Sequence, residues 1–537
     1  MSVTPSYPGV YIEELPSPVH PITGVTTSVA AFVDVFASGP VNKAIQISSV
    51  ADFARVFGGY SADSESSYAI PQFFLNGGQS AWVVRVVPPM ANGNLPAPAH
   101  GSLLAGSPPH EVLAVTAASP GAWGTGIQVV AGDVPKSELF NLYVQQVKQV
   151  NSQTQVLATE TFRGLSLDKT QPTWAPAVVN DPVTGSALVS VEDTALGYAP
   201  FGYPIPVNGG PPANVPFQSL EAGDPVPALV TIDQEQLVNL LIDQLNKTDG
   251  IYSLDRIDPF IFNILCLPAI KYLNQANTQT VIDTAGTYAG GKRAMLIVDP
   301  PTALQTADQM STWMNDPEYP IARIDSAAVY FPSLQLTDPL TGLARTVGPS
   351  GTVAGIWART DASRGVWKAP AGTEATILGV SLASILTDPE NGELNPQGIN
   401  VLRNFPGFGS VSWGARTTAG TDQLGSQWKY IPVRRTAFYI EESLFEALKW
   451  VVFEPNDEPL WAEIRLNVGA FMQTLFLKQA FQGKTPDEAY FVKCDSETTT
   501  QADIDNGIVN ILVGFAPLRP AEFVVIQIQQ LAGQAQS

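Results

Sequence analysis

Residues 439–483 read YIEESLFEALKWVVFEPNDEPLWAEIRLNVGAFMQTLFLKQAFQG. In the first part Ile440, Leu444, Phe445, Leu448 and Val451 recur at helical spacing, with Glu441, Glu442, Glu446 and Lys449 between them. That spacing predicts an amphipathic helix over residues 439–452 with an acidic face. Glu454-Pro455-Asn456-Asp457 breaks it. A second periodic run places Leu460, Ile464, Val468, Phe471, Leu475 and Phe476 on one face and stops at Gly483. Two β-prone runs follow, residues 489–494 and 508–515, rich in β-branched and aromatic residues and bounded by polar turns. Phe491 and Val492 on the first and Ile511 and Val513 on the second mark strands expected to pair.

Beyond Pro517 and Pro520 comes a last run, Phe523-Val524-Val525-Ile526-Gln527-Ile528. The two prolines donate no ladder hydrogen bonds and hold this strand off the preceding unit. An apolar strand left alone has unpaired backbone groups and must find a sheet edge or aggregate.

The other end of the chain reads similarly. Pro5, Pro8, Pro16, Pro18 and Pro21 preclude a helix over residues 1–21, and Val10, Tyr11 and Ile12, with Tyr7 upstream, form a β-prone island. Such an arm reaches roughly 60 Å when extended. Residues 25–36 and 82–87 look like buried strands flanking helices near residues 50–57 and 68–75. From residue 89 to 227 the texture turns to Pro, Gly and Asn with short alternating strands, which predicts an inserted β domain. Helices at 234–245, 272–289 and 302–315 then alternate with strands at 261–266, 294–298 and 327–330. The predicted fold class is α/β and α+β, multidomain: an α/β core over 22–88 and 228–372, the β insertion over 89–227, a C-terminal domain over 373–520, and extended arms at 1–21 and 521–537.

Composition narrows the chemistry. The 28 Lys and Arg against 49 Asp and Glu leave a net charge of −21 over 537 residues, which disfavours nucleic acid as a partner. Cys266 and Cys494 sit in apolar runs and read as core residues. The first basic residue is Lys43, and the longest apolar run, near residues 259–270, is too short to span a bilayer; the expectation is a chain made in a cytoplasm with no membrane insertion. Gly286, Gly291 and Lys292 match most of a phosphate-cradling loop, but Arg293 stands where Ser or Thr belongs, and a helix precedes rather than follows. A helix end at Gly290-Gly291 is the better reading. Asp503, Asp505 and Gly507 suggest a calcium loop, yet its twelfth position is Gly514 rather than Glu, so they read as a turn. His20, His100 and His110 have no metal-ligand partners at useful spacing. Neither cofactor nor metal nor catalytic residue is nominated. Residues 348–372, rich in Gly with Trp357 and Trp367 as anchors, predict an irregular backbone. There Arg359, Asp361, Arg364 and Lys368, with Arg416 and Arg434-Arg435 further on, pair either within the subunit or across a subunit contact.

YPGVYIEE at residues 7–14, the 348–372 segment, Gly398-Ile399-Asn400, WGART at 413–417 and RRTAFYIEESLFEALKWVVFEPND at 434–457 together resemble contractile tail sheath proteins of phages and phage-tail-like injection particles. The resemblance implies a subunit that polymerises helically with itself, in stacked hexameric rings, around an inner tube protein, and contracts without nucleotide to drive that tube through an envelope. It implies baseplate and tail terminator or cap proteins as further partners. It also implies that the arms, through Tyr7, Val10, Tyr11, Ile12, Phe523, Val525, Ile526 and Ile528, add strands to a neighbour's sheet built on Phe491, Val492, Ile511 and Val513. The 373–520 domain would face the tube, with Glu441, Glu442 and Glu446 as the expected contact. The competing expectations are a host- or carbohydrate-binding tail protein using the β insertion, and a nucleotide-using enzyme on the α/β core.

Overall fold

Two six-residue runs, AAFVDV and AWVVRV, are buried at every position, the pattern of strands covered on both faces. They lie at the heart of a computed structural model that describes residues 20–150, 153–194, 200–206, 209–212, 215–221, 223–257 and 261–527. The chain divides into two compact units, Ser28–Arg359 with Pro370–Lys429, and Met1–Thr27 with Thr360–Ala369 and Tyr430–Ser537.

The larger unit opens with β1 (Ala30–Val35), β2 (Ala44–Ile47), α1 (Val50–Phe57), α2 (Ser66–Leu75) and β3 (Ala81–Val86). The insertion carries β4 (His100–Ala105), β5 (His110–Ala117), β6 (Ile127–Asp133), β7 (Phe140–Val150), β8 (Gln153–Leu165), α3 (Ala175–Val179), β9 (Val189–Asp193) and β10 (Gln218–Ser219). These strands form two antiparallel sheets, β10-β6-β7-β8 and β4-β5-β9, around their own core of Leu113, Ile127, Phe140, Leu142 and Val191. Next come α4 (Gln234–Ile242), β11 (Ile264–Cys266), α5 (Gln275–Gly291), β12 (Met295–Val298), α6 (Ala307–Met314) and β13 (Ala327–Phe331). The unit continues with β14 (Leu334–Thr337), β15 (Ala344–Val347), α7 (Ser350–Arg364), whose last residues from Thr360 count with the smaller unit, β16 (Ser381–Leu382), α8 (Asp388–Leu394), β17 (Ile399–Phe405) and β18 (Gly409–Ser412).

One eight-stranded sheet, ordered β18-β17-β13-β12-β11-β1-β3-β2, organises this unit. Its interior strands run parallel, and antiparallel β2 and β18 close the two edges. The sheet therefore extends past residue 372, into the stretch expected to belong to the C-terminal domain. Residues 348–372 also differ from expectation: fifteen of them form α7 rather than irregular backbone. The glycines serve helix packing, since a Cβ on Gly351 would lie 2.2 Å from the Ala69 carbonyl oxygen and one on Gly355 2.5 Å from that of Phe73. Helix α5 ends at Gly291 and β12 follows, the order that argued against a phosphate loop.

The smaller unit contains α9 (Ile431–Ala447), α10 (Glu458–Leu477), α11 (Pro486–Ala489), β19 (Tyr490–Lys493), α12 (Gln501–Asp505) and β20 (Leu512–Phe515). Helix α9 begins eight residues before the predicted start, with Pro432 in its first turn, a position proline tolerates because that N–H has no helical partner. Helix α10 ends at Leu477, six residues before Gly483, and Gln479 takes a left-handed φ of 61° just beyond. Its inward residues Leu460, Ile464, Val468, Phe471 and Leu475 join Ile440, Phe481 and Cys494 in one core. Both cysteines are buried and unpaired with each other. Asp503 caps α12 through Thr500 in a reciprocal capping box, so that turn is closed by the chain itself.

Candidate functional site

Among its described residues the smaller unit holds a sheet of two strands. β19 and β20 pair antiparallel in the register Tyr490↔Phe515, Phe491↔Gly514, Val492↔Val513 and Lys493↔Leu512. Tyr490, Val492, Ile511, Val513 and Phe515 turn toward the α9–α10 core. Phe491 lies on the solvent face, 49% exposed, its ring over Gly514, where a Cβ would fall 2.2 Å from it. A two-stranded ribbon is marginal by itself and draws its order from the helices beneath it. Among the described residues neither strand has a second partner in the sheet, so each presents an outer edge.

The chain leaves this ribbon under control and then loses it. Ala516 N–H donates to the Ala489 carbonyl at 2.8 Å, Gln482 N–H to the Ala516 carbonyl at 2.9 Å, and Tyr430 Oη to Glu522 Oε2 at 3.2 Å. One residue later Phe523, Val524, Val525 and Ile526 are 74–82% exposed, and no strand is assigned there. Four consecutive apolar residues in solvent are costly to leave uncovered, at about 1.5–3 kcal/mol for each side chain that burial would cover. Ile528, Tyr7, Val10, Tyr11 and Ile12 lie outside the described residues.

The acidic face expected on α9 is reduced to two residues. Glu441 faces Arg434 at 3.7 Å and Glu446 faces Lys449 at 2.6 Å, both on the surface. Glu442 is buried at 6% exposure. With the helix starting at Ile431 and Arg435, Tyr439 and Ser443 turned inward, position 442 falls on the covered side, so it is withdrawn as a surface contact. Of the charges expected to pair, buried Arg435 grips Asp361 with two hydrogen bonds of 2.9 and 2.6 Å, and Arg416 reaches Asp422 at 3.0 Å. Arg359 donates to the Asn76 and Thr376 carbonyls.

In the larger unit, the carboxyl ends of β1, β11 and β12 are where open α/β sheets commonly hold ligands. Here that crevice is filled by the chain. Asp34 accepts from the Ser66 N–H at the start of α2 at 2.7 Å, and Asp299 accepts from the Ser350 N–H at the start of α7 at 2.7 Å. The two helix N-termini, the usual seats of a bound anion, are thus occupied by built-in carboxyl groups. Glu65 beside them takes Lys271 at 2.6 Å, Arg345 at 2.5 Å and the Tyr272 hydroxyl at 2.9 Å. Arg85, equally buried, spends its donors on the Phe36, Gly39 and Pro120 carbonyls. Sequence reasoning missed these groups; their only trace was a charge inside an apolar strand, as in AAFVDV and AWVVRV. Among the described residues no cluster of His, Cys, Asp and Glu could hold a metal, and no helix is long and apolar enough to cross a membrane.

Residues 244–418 match the family model of the phage tail sheath protein central domain, and residues 423–530 that of the phage tail sheath C-terminal domain. The chain belongs to the phage tail sheath family. Among curated sheath relatives, the tail sheath protein of Vibrio phage KVP40 is 32% identical over 133 residues, which is 24% of this chain and 19% of the phage protein. A putative prophage major tail sheath protein of Pseudomonas aeruginosa is 25% identical over 198 residues, 36% of this chain and 48% of its own. The alignments thus span about a fifth and about half of those relatives. Solved sheath structures share the fold along nearly the whole chain. The sheath of an extracellular contractile injection system, PVC, in its contracted state superposes with a TM-score of 0.56 at 21% identity, covering 98% of this chain and 99% of that one. A sheath tail protein from Listeria innocua gives 0.57 at 13% identity, covering 92% and 96%. The C-terminal sheath model covers α9, α10, the two-stranded ribbon and the exposed 523–526 run, whereas the β insertion and β1–β3 lie outside both matched stretches.

Proposed function

We propose that this protein is the structural subunit of a contractile tail sheath, not an enzyme. It polymerises with itself helically, as stacked hexameric rings, around an inner tube protein and shortens to drive that tube through a target envelope. The observation that carries the reading is the pairing of an open-edged two-stranded ribbon with an adjacent run of four exposed apolar residues, both inside the stretch matching the sheath C-terminal domain. Strand addition to such an edge supplies main-chain hydrogen bonds and buries the run at once. When donor and acceptor surfaces differ, the contact is heterologous and propagates as a helix instead of closing. In this reading Phe523, Val525, Ile526 and Ile528, and at the other end Tyr7, Val10, Tyr11 and Ile12, enter neighbours' ribbons built on Phe491, Val492, Ile511 and Val513. Glu441 and Glu446 remain the proposed approach to the tube. Baseplate and terminator or cap proteins complete the partners, and synthesis is in the bacterial cytoplasm ahead of incorporation into a phage tail or tail-like particle.

The test removes one arm at a time. Chains lacking residues 1–16 or 523–537 should keep the wild-type circular dichroism spectrum and melting transition, yet form no tubes in negative-stain images. Regular sheaths from either truncation would defeat the proposal. Loss of fold on truncation would place the arm in its own subunit's core.

A further inference from the structure

Residues 20–27 are not free chain. They follow one stripe of the α9 helix and its short 3-10 continuation, running against the helix direction. At the far end the His20 ring stacks on Trp450, centroids 4.3 Å apart and 17° from parallel, with Nε2 3.5 Å from Glu463 Oε1. Ile22 enters the α9–α10 core. Gly24 lies so close to Tyr439 that a Cβ there would fall 1.8 Å from its hydroxyl oxygen. The Val25 N–H donates to Ser443 Oγ at 3.2 Å, and that hydroxyl donates to the Tyr439 carbonyl at 2.7 Å. Finally Arg435, held by Asp361, donates to the Thr27 carbonyl at 2.8 Å. Positions 435, 439 and 443 recur every four residues, one face of a helix. The lengths also agree. Seven steps of extended chain would cover about 23 Å and fifteen steps of helix about 22 Å, so the strap is long enough to reach from Trp450 to Arg435.

We propose that this strap is a built-in grip on the N-terminal arm. Resting on the sheath reading, it anchors the arm at residues 20–27 and delivers tension to α9 before any reaches Ser28. Each element of the grip suits that role. Gly24 leaves room for the Tyr439 hydroxyl that a Cβ would displace, Ser443 is anchored by its own helix, and Arg435 is fixed by a buried partner and cannot follow the strap if it is pulled. The arm's pull is therefore spread over the helix pair that also carries the two-stranded ribbon.

Hydrogen exchange with mass spectrometry on the full-length subunit tests the seat, and triggered contraction of assembled sheaths tests its use. Gly24→Leu should expel the strap by collision with Tyr439. The double variant Arg435→Met with Asp361→Leu should remove the Thr27 contact while keeping an apolar filling in place of the ion pair. In both, the Val25 amide should exchange at least about ten-fold faster, as expected when one local hydrogen bond opens, while amides of α10 and the eight-stranded sheet stay protected. Sheaths from these variants should assemble and then contract short of the wild-type length. Unchanged exchange at Val25 in Gly24→Leu would overturn the seat. A released strap with full contraction would overturn the grip and leave the sheath reading standing. Failure of the wild-type chain to build any sheath would instead overturn the sheath reading, with the exchange data still deciding the seat.

Discussion

At the scale of single residues, the crevice carboxylates carry a pH signature. Burial pushes both Asp34 and Asp299 up to about 7 from the ordinary 3.8. A folded value above the unfolded one means that the native state holds the proton more tightly. These groups therefore favour the fold fully below pH 4, and their contribution is lost as pH rises toward 7. Asp299 is the cleaner subject, because Asn in its place can still accept from the Ser350 N–H and can donate its amide to Ser350 Oγ, now 2.5 Å from the carboxylate. Asp299→Asn should be more stable than wild type at pH 8 by on the order of 2–4 kcal/mol, with little difference at pH 4. Urea unfolding at the two pH values decides it. A variant weaker than wild type at pH 8 would show that Asp299 is ionised and well solvated by its partners.

Among the elements, α7 and the chain after β20 respond to substitution for opposite reasons. Gly351 meets backbone of α2, which cannot move aside, so Gly351→Leu should cost about 3 kcal/mol or more, beyond ordinary overpacking. Gly392 in α8 has open space around its missing Cβ, and Gly392→Ala should instead add about 0.5–1 kcal/mol. Chemical denaturation of the two variants side by side separates a glycine needed for close approach from one that is only tolerated. In the C-terminal run the folded subunit makes no demand. Val525→Pro or Ile526→Pro should leave the monomer's melting temperature unchanged while costing about 3 kcal/mol at each junction if that amide is paired in a neighbour. Normal tubes from both variants would rule out use of this strand.

For the whole molecule, the consequence concerns how movement passes between subunits. With residues 20–27 gripped, extra length matters only upstream of them. Inserting two or three residues after Pro16 adds roughly 7–10 Å of slack, and assembly should tolerate it because closure entropy grows slowly with length. Transmission from ring to ring should weaken, so these insertions should build extended sheaths that contract incompletely when triggered. Full contraction, measured as final sheath length by electron microscopy, would move the coupling from the arms to contacts between folded domains.

Local pattern determined a good deal. The apolar runs of β1 and β3, the β-rich insertion, the two long C-terminal helices, the strands of the ribbon and the exposed 523–526 run were legible because each is a periodicity or a proline break, which depends only on neighbours in sequence. The sheath resemblance was legible for the same reason, as motifs in order. Tertiary structure decided what depends on distant partners. Helix α7 forms through a glycine-rich segment because α2 lies close enough to need bare backbone there. Glu442 is buried because it lies three residues after Tyr439 and seven after Arg435, on a side of α9 that distant parts of the chain cover. Asp34 and Asp299 become buried carboxyl caps on helix starts because the chain returns 32 and 51 residues later, and residues 20–27 become a strap because it returns some four hundred residues later. A carboxylate's solvation and a segment's attachment are properties of its surroundings, and those exist only after folding.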